Sequence, residues 1–264
     1  MELRSLYYPS EISNLNAVKQ NGLYLQYIAQ QTEEICREAV KQNAKAIRFV
    51  KKPTIEMNLL AVRQNGDLLQ YMKNPNEEII LQAVQNEGLA LKYVLFPSRD
   101  VCKAAVRQNG FALKYVKALN TEIFRIAIRS HAFAIKYVKH QNTDLCLKAL
   151  KKDGMALKEI LNPTEEMMLV AIENNPMAIQ YIHKPTRAIC LLAIRLRPYS
   201  VQYMDYLDEE LWLEAVRLKP NVIRFLKSYS EKITSTALRS NPACFKYIPR
   251  DFYTDTRLMI WRKE

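Results

Sequence analysis

The chain has 264 residues, 49% of them hydrophobic and 25% charged, which is typical of a folded protein and unlike a disordered one. Its formal net charge of +12 at pH 7 permits an anionic partner without requiring one. The first residues lack the basic and apolar regions of a secretory signal, and no apolar run approaches the ~18 residues of a membrane span, so we expect a cytoplasmic protein without a membrane segment.

One alanine recurs at a fixed interval along almost the whole chain. A strict period of this length is typical of a solenoid, in which each repeat contacts only its neighbours. The sequence therefore predicts a single all-α solenoid domain over residues 1–264, with an N-terminal cap at 1–9, eleven helix-turn-helix repeats at 10–250 and a C-terminal cap at 251–264. The eleven copies are 22 residues apart, with no insertion or deletion: Ala17, Ala39, Ala61, Ala83, Ala105, Ala127, Ala149, Ala171, Ala193, Ala215 and Ala237.

Each repeat, numbered from its alanine as zero, predicts first a helix of about three turns. Position −7 holds an N-cap residue in all eleven copies, and positions −6 and −5 are acidic in most, as in Thr32, Glu33 and Glu34. Apolar residues follow at −4, −3, 0 and +1, which is the stripe of an amphipathic helix. Four repeats carry cysteine at −3, too far apart for disulfides, and we interpret these as small buried residues in a reducing compartment: Cys36, Cys102, Cys146 and Cys190.

A second, shorter helix is predicted after position +5, with apolar residues at +7, +8, +10 and +11, as in Ala112, Leu113, Tyr115 and Val116. Position +5 is glycine or alanine at first and proline from Pro176 onward. A left-handed glycine cap needs a positive φ, which proline cannot adopt. Because alanine also occurs there, we favour a turn that is not left-handed, and the alternative is a different turn in the last four repeats.

The repeat unit resembles a known family. The pattern Thr-x-Glu-x-x-x-x-Ala-Val-x-Gln-Asn-Gly-x-Ala-Leu-x-Tyr-Val, seen at 76–94 and 98–116, is similar to a tandem helical repeat of unknown function, abundant in large DNA viruses of amoebae and scattered among bacteria. The resemblance covers residues 9–250. It implies a viral origin, and hence a host cytoplasm, and it supplies no catalytic residues because the family has no established activity.

The sequence contains no motif typical of an enzyme. The three histidines, His131, His140 and His183, lie in different repeats without zinc-like spacing to cysteine. No phosphate-cradling glycine loop and no nucleophile elbow occurs, and the paired glutamates recur as helix starts. We therefore expect no catalytic site, no metal and no cofactor.

Basic residues recur at position +2, in nine of the eleven copies. By helical angle this row lies opposite the apolar stripe and shares its face with the acidic residues at −5. Cations in the last turn of a helix are favoured by the helix dipole, which is the interpretation we prefer. The alternative is a ladder that tracks the phosphates of a nucleic acid.

A second basic row occurs at +9, beside an aromatic row at +10 that Glu159 interrupts. Basic and aromatic residues together could bind single-stranded nucleic acid by charge and stacking. Packing of the +10 rings in the core is the interpretation that we favour, because phenylalanine replaces tyrosine there. The candidate nucleic-acid-binding residues are Arg48, Lys92, Lys114, Lys136, Lys158, Arg224 and Lys246.

Position +6 varies most, and large apolar residues cluster in its middle copies. If exposed, they form a strip suited to a protein partner, and if packed on the next repeat, they are ordinary core. We expect a non-enzymatic scaffold for protein–protein interaction, with nucleic-acid binding as the alternative and homo-oligomer formation left open. The candidate partner-binding residues are Leu89, Phe111, Phe133, Met155, Met177 and Tyr199.

Overall fold

The computed structural model describes residues 11–117, 120–205, 207–249 and 252. In these residues eleven α-helices alternate with eleven 3-10 helices, and none of them forms a β-strand. The prediction of an all-α solenoid built from eleven helix-turn-helix repeats is confirmed. The predicted caps at 1–9 and 251–264 lie outside the described residues, apart from Phe252.

The first helix of every repeat is an α-helix of ten residues that begins six residues before the repeat alanine. In chain order these are α1 (Glu11–Gln20), α2 (Glu33–Gln42), α3 (Ile55–Gln64), α4 (Glu77–Asn86), α5 (Arg99–Gln108), α6 (Thr121–Ser130), α7 (Thr143–Lys152), α8 (Glu165–Asn174), α9 (Arg187–Leu196), α10 (Glu209–Leu218) and α11 (Glu231–Ser240).

The second helix of every repeat is a 3-10 helix of six residues. From repeat one to repeat eleven these span Gly22–Tyr27, Ala44–Phe49, Gly66–Tyr71, Gly88–Tyr93, Gly110–Tyr115, Ala132–Tyr137, Gly154–Glu159, Pro176–Tyr181, Pro198–Tyr203, Pro220–Phe225 and Pro242–Tyr247.

The contacts divide the chain into two compact units, Met1–Lys139 and His140–Glu264. The first unit contains repeats one to six and the second contains repeats seven to eleven. Within each unit the α-helices pack side by side in one layer and the 3-10 helices in a second, and repeats contact their neighbours in sequence. The prediction of a single domain over residues 1–264 stays a prediction.

The predicted helix starts are confirmed in repeats two to eleven. The side-chain oxygen at −7 accepts a hydrogen bond from the backbone N–H at −4, as Thr32 does from Ile35 and Asp208 from Leu211. A cap of this kind contributes about 1 kcal/mol to helix stability. The corresponding residue of repeat one, Ser10, lies outside the described residues.

The core lies between the two layers of each unit. The predicted stripe is buried at −4, 0 and +1 in repeats two to eleven, and the repeat alanine is fully buried in each of these repeats. At −3 the small cysteines and Thr234 are buried, whereas the other residues are half-buried: Asn58, Ile80, Phe124, Met168 and Trp212. All five cysteines are buried and free: Cys36, Cys102, Cys146, Cys190 and Cys244. Burial raises the pKa of each thiol, which keeps it protonated and unreactive. The interpretation of the −3 cysteines as small buried residues is confirmed.

The 3-10 form of the second helix explains its apolar spacing. A 3-10 helix has 3.0 residues per turn, so side chains three positions apart eclipse each other and form three ridges along the helix. The ridges +7/+10 and +5/+8 contain the apolar residues that the sequence shows at +7, +8 and +10, whereas +6 and +9 form the third. The apolar residue at +11 is the extended C-cap that follows the helix, as at Val50 and Val116. The candidate partner-binding position +6 and the basic position +9 of the same repeat therefore lie on one ridge.

The turn before the 3-10 helix is not left-handed, as favoured from the sequence, because no glycine among the described residues has a positive φ. The residue at +4 is extended instead, with φ of −147° at both Asn43 and Asn175, so repeats with alanine and with proline at +5 turn alike. Glycine serves a close approach: a Cβ on Gly154 would lie 2.2 Å from the carbonyl oxygen of Ala171 in the next repeat.

A side-chain amide at +3 of the next repeat accepts from the glycine N–H at +5 in three repeats, at Gly22, Gly88 and Gly154, and at Gly110 the hydroxyl of Ser130 takes its place. Gln108 Oε1 accepts from the Gly88 N–H at 2.7 Å, and its Nε2 donates to the Asn86 carbonyl at 3.0 Å. Asn174 accepts from the Gly154 N–H at 2.7 Å in the same way. The side chain thus satisfies an unpaired donor at the start of one helix and an unpaired acceptor at the end of another.

Proline at +5 removes the reason for that amide. Because proline has no N–H, nothing at the start of the 3-10 helix needs an acceptor. Twenty residues after Pro176 and Pro198, where glycine repeats place glutamine, asparagine or serine, the chain carries Leu196 and Leu218. After Pro220 it carries Ser240, whose hydroxyl donates to the Thr236 carbonyl of its own helix. At the junctions of Pro176 and Pro198, the missing N–H therefore accounts for the missing polar side chain.

This coupling predicts unequal effects for matched substitutions. Replacing Gln108 by leucine should destabilise the chain by about 1–2 kcal/mol, because it leaves the Gly88 N–H and the Asn86 carbonyl without their partner. The reverse change, Leu218→Gln, faces a proline and should alter stability by less than about 0.5 kcal/mol. Urea unfolding measures the change in stability for both substitutions, and amide exchange at Gly88 reports the lost hydrogen bond in Gln108→Leu. Equal effects of the two substitutions would contradict the coupling.

Candidate functional site

The α-helical layer presents an exposed face on which charges compensate each other. The eleven described α-helices contain equal numbers of acidic and basic residues. Ion pairs cross from repeat to repeat: in the first unit Glu122 accepts from Arg99 at 2.6 Å and from Lys103 at 2.8 Å, and in the second Arg187 pairs with Asp208 and Glu210. The field of this face is therefore weak for a charged ligand.

The hydrogen bond from Lys103, opposed by slight desolvation and reinforced by Arg99, holds the pKa of Glu122 below its ordinary value. The +2 row lies on this same face and is exposed throughout. Two of its members also have acidic neighbours: Arg195 contacts Glu214 at 3.1 Å, and Lys41 contacts Glu38 at 3.8 Å.

The 3-10 layer is basic. Its eleven helices contain only two acidic residues, Asp67 and Glu159. The positive charge of the protein is therefore concentrated in this layer and in the connecting turns, away from the neutral α-helical face. The basic residues of the 3-10 helices are Lys45, Arg48, Lys92, Lys114, Lys136, Lys158, Arg224 and Lys246.

The seven candidate nucleic-acid-binding residues at +9 are all exposed, and most of them lie over the aromatic ring that follows. In the first unit the charged group lies 4.4 Å from the ring centroid for Arg48 over Phe49 and 5.0 Å for Lys136 over Tyr137. In the second unit Arg224 lies 4.6 Å from the centroid of Phe225. These are cation–π contacts, which favour a cation held at the ring face.

The +10 rings lie at the rim of the core, so the favoured interpretation of this row as core residues holds only in part: six rings are half-buried and four are exposed. None is among the buried core residues. Where +9 is glutamine, no cation covers the ring, and exposure is highest: 77% at Tyr27, 46% at Tyr71, 37% at Tyr181 and 40% at Tyr203. Where +9 is basic, the ring is half-buried.

The candidate partner-binding residues at +6 are neither fully exposed nor part of the core. All six are half-buried. Phe111 packs on His131 of the next repeat, with ring centroids 5.0 Å apart, and Tyr199 meets Phe225 edge-on at 6.3 Å. Each therefore keeps part of its apolar surface accessible while the next repeat holds it in place.

The structure brings the two candidate rows together. Position +6 of one repeat lies beside position +9 of the next. Nζ of Lys136 is 5.3 Å from the ring centroid of Phe111, and Cζ of Arg224 is 5.4 Å from that of Tyr199. In repeats three and four the same neighbours are Asp67 and Lys92, which form an ion pair at 3.3 Å. Contacts of Lys92 with Tyr93, and then with Asp67, raise its pKa above the ordinary lysine value.

The two rows therefore form one surface in each unit, which we call the 3-10 face. It consists of the +6, +9 and +10 side chains of successive repeats. Among the described residues of the first unit, Lys114 and Lys136 make no ion pair on it. The sequence pattern did not reveal this adjacency, because the two positions are 25 residues apart and follow separate rows.

An exposed apolar pair at the turn after repeat four was also missed. Leu95 and Phe96 are 74% and 89% exposed, and Lys117 of the next repeat lies 5.4 Å from the Phe96 ring and donates to the Leu95 carbonyl. Other repeats mostly carry lysine, asparagine or another polar residue at these two positions. Departure from the repeat pattern is the signal that could have found them.

Within the described part of the chain, no group of three or more His, Cys, Asp or Glu side chains is placed to hold a metal ion. Each described helix also falls short of the length and apolarity that crossing a bilayer requires.

Comparison with known proteins yields one match. A family model described as "Domain of unknown function (DUF4116)" matches residues 15–53 and 76–119, which lie in repeats one and two and in repeats four and five. The resemblance to a repeat of unknown function is thus confirmed at that level. No curated protein and no solved structure matches the chain.

The ion pairs of the α-helical face predict an acid titration. A carboxyl whose pKa is lower in the folded state than in the unfolded state stabilises the folded protein at pH values above its unfolded pKa. This contribution is lost as the pH falls through the folded pKa. In a ¹³C NMR titration we expect Glu122 to titrate below the ordinary value of about 4.3 and to return towards it in Lys103→Met. Lys148→Met, which removes the partner of Asp144 in the second unit, is the control. An unchanged Glu122 pKa in Lys103→Met would rule out this cause.

Proposed function

We propose that the chain is a non-enzymatic interaction scaffold that binds another protein along the 3-10 face. The observation that supports this most is the alternation of half-buried apolar +6 side chains with exposed +9 cations on that face. Apolar side chains held by neighbours, with charges at their rim, are the composition of a protein-binding surface.

The fold does not require these residues, which supports a role in binding. Helix caps, the buried stripe and the small residue at +5 build the repeat, and they recur in nearly every copy. Position +6 differs in charge and size from Lys45 to Asp67 to Phe111, although all three start the same kind of helix. A position that varies this freely on a regular framework is suited to specificity.

The location that we propose is a reducing cytoplasm, that of the host if the chain is viral as the resemblance implies. Five buried free thiols support a reducing compartment. The neutral α-helical face supports the choice of the opposite layer as the binding surface, because its acidic and basic residues are equal in number and several of them form ion pairs within the chain.

Peptide selection tests the proposal even though the partner is unidentified. Random peptides displayed on phage are selected on the wild-type protein and then measured on two variants of repeat six, Lys136→Glu on the 3-10 face and Arg129→Glu on the α-helical face. Both reverse one exposed charge, so nonspecific charge effects are matched.

We expect most selected peptides to bind Lys136→Glu at least about fivefold more weakly and Arg129→Glu with unchanged affinity, because changing a central contact residue costs about 1 kcal/mol or more of binding free energy. Circular dichroism checks that both variants are folded. Selected peptides that are insensitive to Lys136 and to a second 3-10-face change, Phe111→Ala, would contradict the proposal.

Binding of single-stranded nucleic acid is the second candidate. It is favoured by three consecutive +9 cations in the first unit, Lys92, Lys114 and Lys136, and by exposed tyrosines in the glutamine repeats of the same row, Tyr27 and Tyr71. A basic groove with aromatic platforms is the usual way of binding single strands.

Fluorescence anisotropy with labelled single- and double-stranded RNA and DNA tests this candidate, between about 50 and 200 mM salt. If it holds, we expect micromolar binding at the higher salt, and substitution of the three lysines by glutamate should remove it. For a single strand, each lost phosphate contact reduces the slope of log affinity against log salt concentration by about 0.7 in magnitude. Substitution of Arg107 and Arg129 by glutamate is the control. If both variants lose affinity equally, the 3-10 face is not the nucleic-acid-binding surface.

A further inference from the structure

The chain shows in one place how its 3-10 face receives a carboxylate. At repeats three and four the +6 residue is Asp67, and its carboxylate lies 3.3 Å from Nζ of Lys92 at +9 of the next repeat. Both side chains remain partly exposed, at 43% and 34%. A carboxylate over the +6 position of one repeat is therefore within ion-pair reach of the +9 cation of the next.

The following repeats keep the cation and lack the carboxylate. Leu89 and Phe111 replace the aspartate at +6 of repeats four and five, and the next +9 residues are Lys114 and Lys136. Lys136 lies 5.3 Å from the Phe111 ring, so the neighbour relation is kept. Neither Lys114 nor Lys136 makes an ion pair among the described residues. Two adjacent sites, Leu89 with Lys114 and Phe111 with Lys136, thus combine an apolar side chain with a cation that has no carboxylate partner in the described chain.

The spacing of these sites restricts the shape of a ligand. Adjacent packed helices are about 8–10 Å apart, so successive +9 cations recur at about that interval. A polyproline II segment rises about 3.1 Å per residue with three residues per turn, which places every third side chain on one face about 9 Å apart. A β-strand places residues three apart on opposite faces and does not match.

We infer that the 3-10 face of the first unit binds an extended acidic segment of a protein, with a carboxylate at every third residue. The inference rests on the proposed function and specifies its ligand. Successive carboxylates pair with Lys114 and Lys136 as Asp67 pairs with Lys92, and the residues between them cover Leu89 and Phe111.

The ring contacts favour this ligand over a nucleic acid. Bases stack on free ring faces. In the repeats that supply the cations, Lys114 lies 5.7 Å from the Tyr115 centroid and Lys136 5.0 Å from the Tyr137 centroid, and both rings are half-buried. Because a lysine already covers each ring, these repeats can attract an anion but leave no free ring face on which a base could stack.

The probe is a labelled peptide of about four Glu-Pro-Ala units, which places glutamate at every third residue and favours polyproline II. A peptide of the same composition with its glutamates consecutive is the matched probe, and oligothymidylate of equal charge is the nucleic-acid probe. Anisotropy is measured with the full chain as wild type, as Lys114→Gln with Lys136→Gln, and as Arg107→Gln with Arg129→Gln. The second pair removes the same charge from the same repeats on the α-helical face.

We expect the wild type to bind the period-three peptide about tenfold more tightly than the matched peptide. The affinity for the period-three peptide should fall about tenfold in the lysine variant and change little in the arginine variant. Phe111→Asp should also weaken binding about tenfold, because it supplies Lys136 with an internal carboxylate as Asp67 does for Lys92. Circular dichroism confirms that each variant is folded.

Equal binding of the two peptides, or equal losses in the lysine and arginine variants, would overturn the inference. Binding of oligothymidylate through Lys114 and Lys136 with none of the period-three peptide would overturn it in favour of nucleic acid. If phage-selected peptides depend on Lys136 but contain no spaced acidic residues, the inference is wrong while the proposed function stands.

Discussion

The close approach of the +5 residue to the next repeat's alanine carbonyl is the constraint on which the rest of this solenoid depends. At Gly22 a Cβ would lie only 2.2 Å from the carbonyl oxygen of Ala39, so a junction this close requires glycine. The repeats with alanine or proline at +5 carry a Cβ there and need a wider spacing at the same junction. The contact fixes how the 3-10 helix of one repeat meets the α-helix of the next. The amide bridge of Gln42 to the Gly22 N–H then closes the same junction at 2.6 Å.

The helical pitch of the second layer separates folding from recognition. With three residues per turn, two ridges of each 3-10 helix face the core or its rim, and the third remains free to vary. The chain uses that ridge for Asp67 in one repeat and for Phe111 in another without altering the helix. An α-helix of the same length would distribute these positions differently, and +6 and +9 would not form one line.

Charge is divided between the layers for a physical reason. Helix starts in the α-layer attract acidic residues and helix ends attract basic ones, so each α-helix supplies partners for its neighbours, as Glu122 does for Arg99 and Lys103. Among the described 3-10 helices, only Gly66–Tyr71 has an acidic residue in its first turn, Asp67. Their cations lie over their own aromatic rings, as Lys136 does over Tyr137, and keep their charge available to an external anion.

The sequence by itself determined the repeat, its period, the α-helix limits and the buried stripe, because caps such as Thr32 and apolar spacing are local signals that every copy repeats. It also indicated which positions are basic and which vary. Only the tertiary structure decided that Phe111 lies against Lys136, that the +10 rings are at the rim and that Gln108 bridges to Gly88. These facts depend on how one repeat is set against the next, a relation across about 20 to 25 residues that no local pattern encodes.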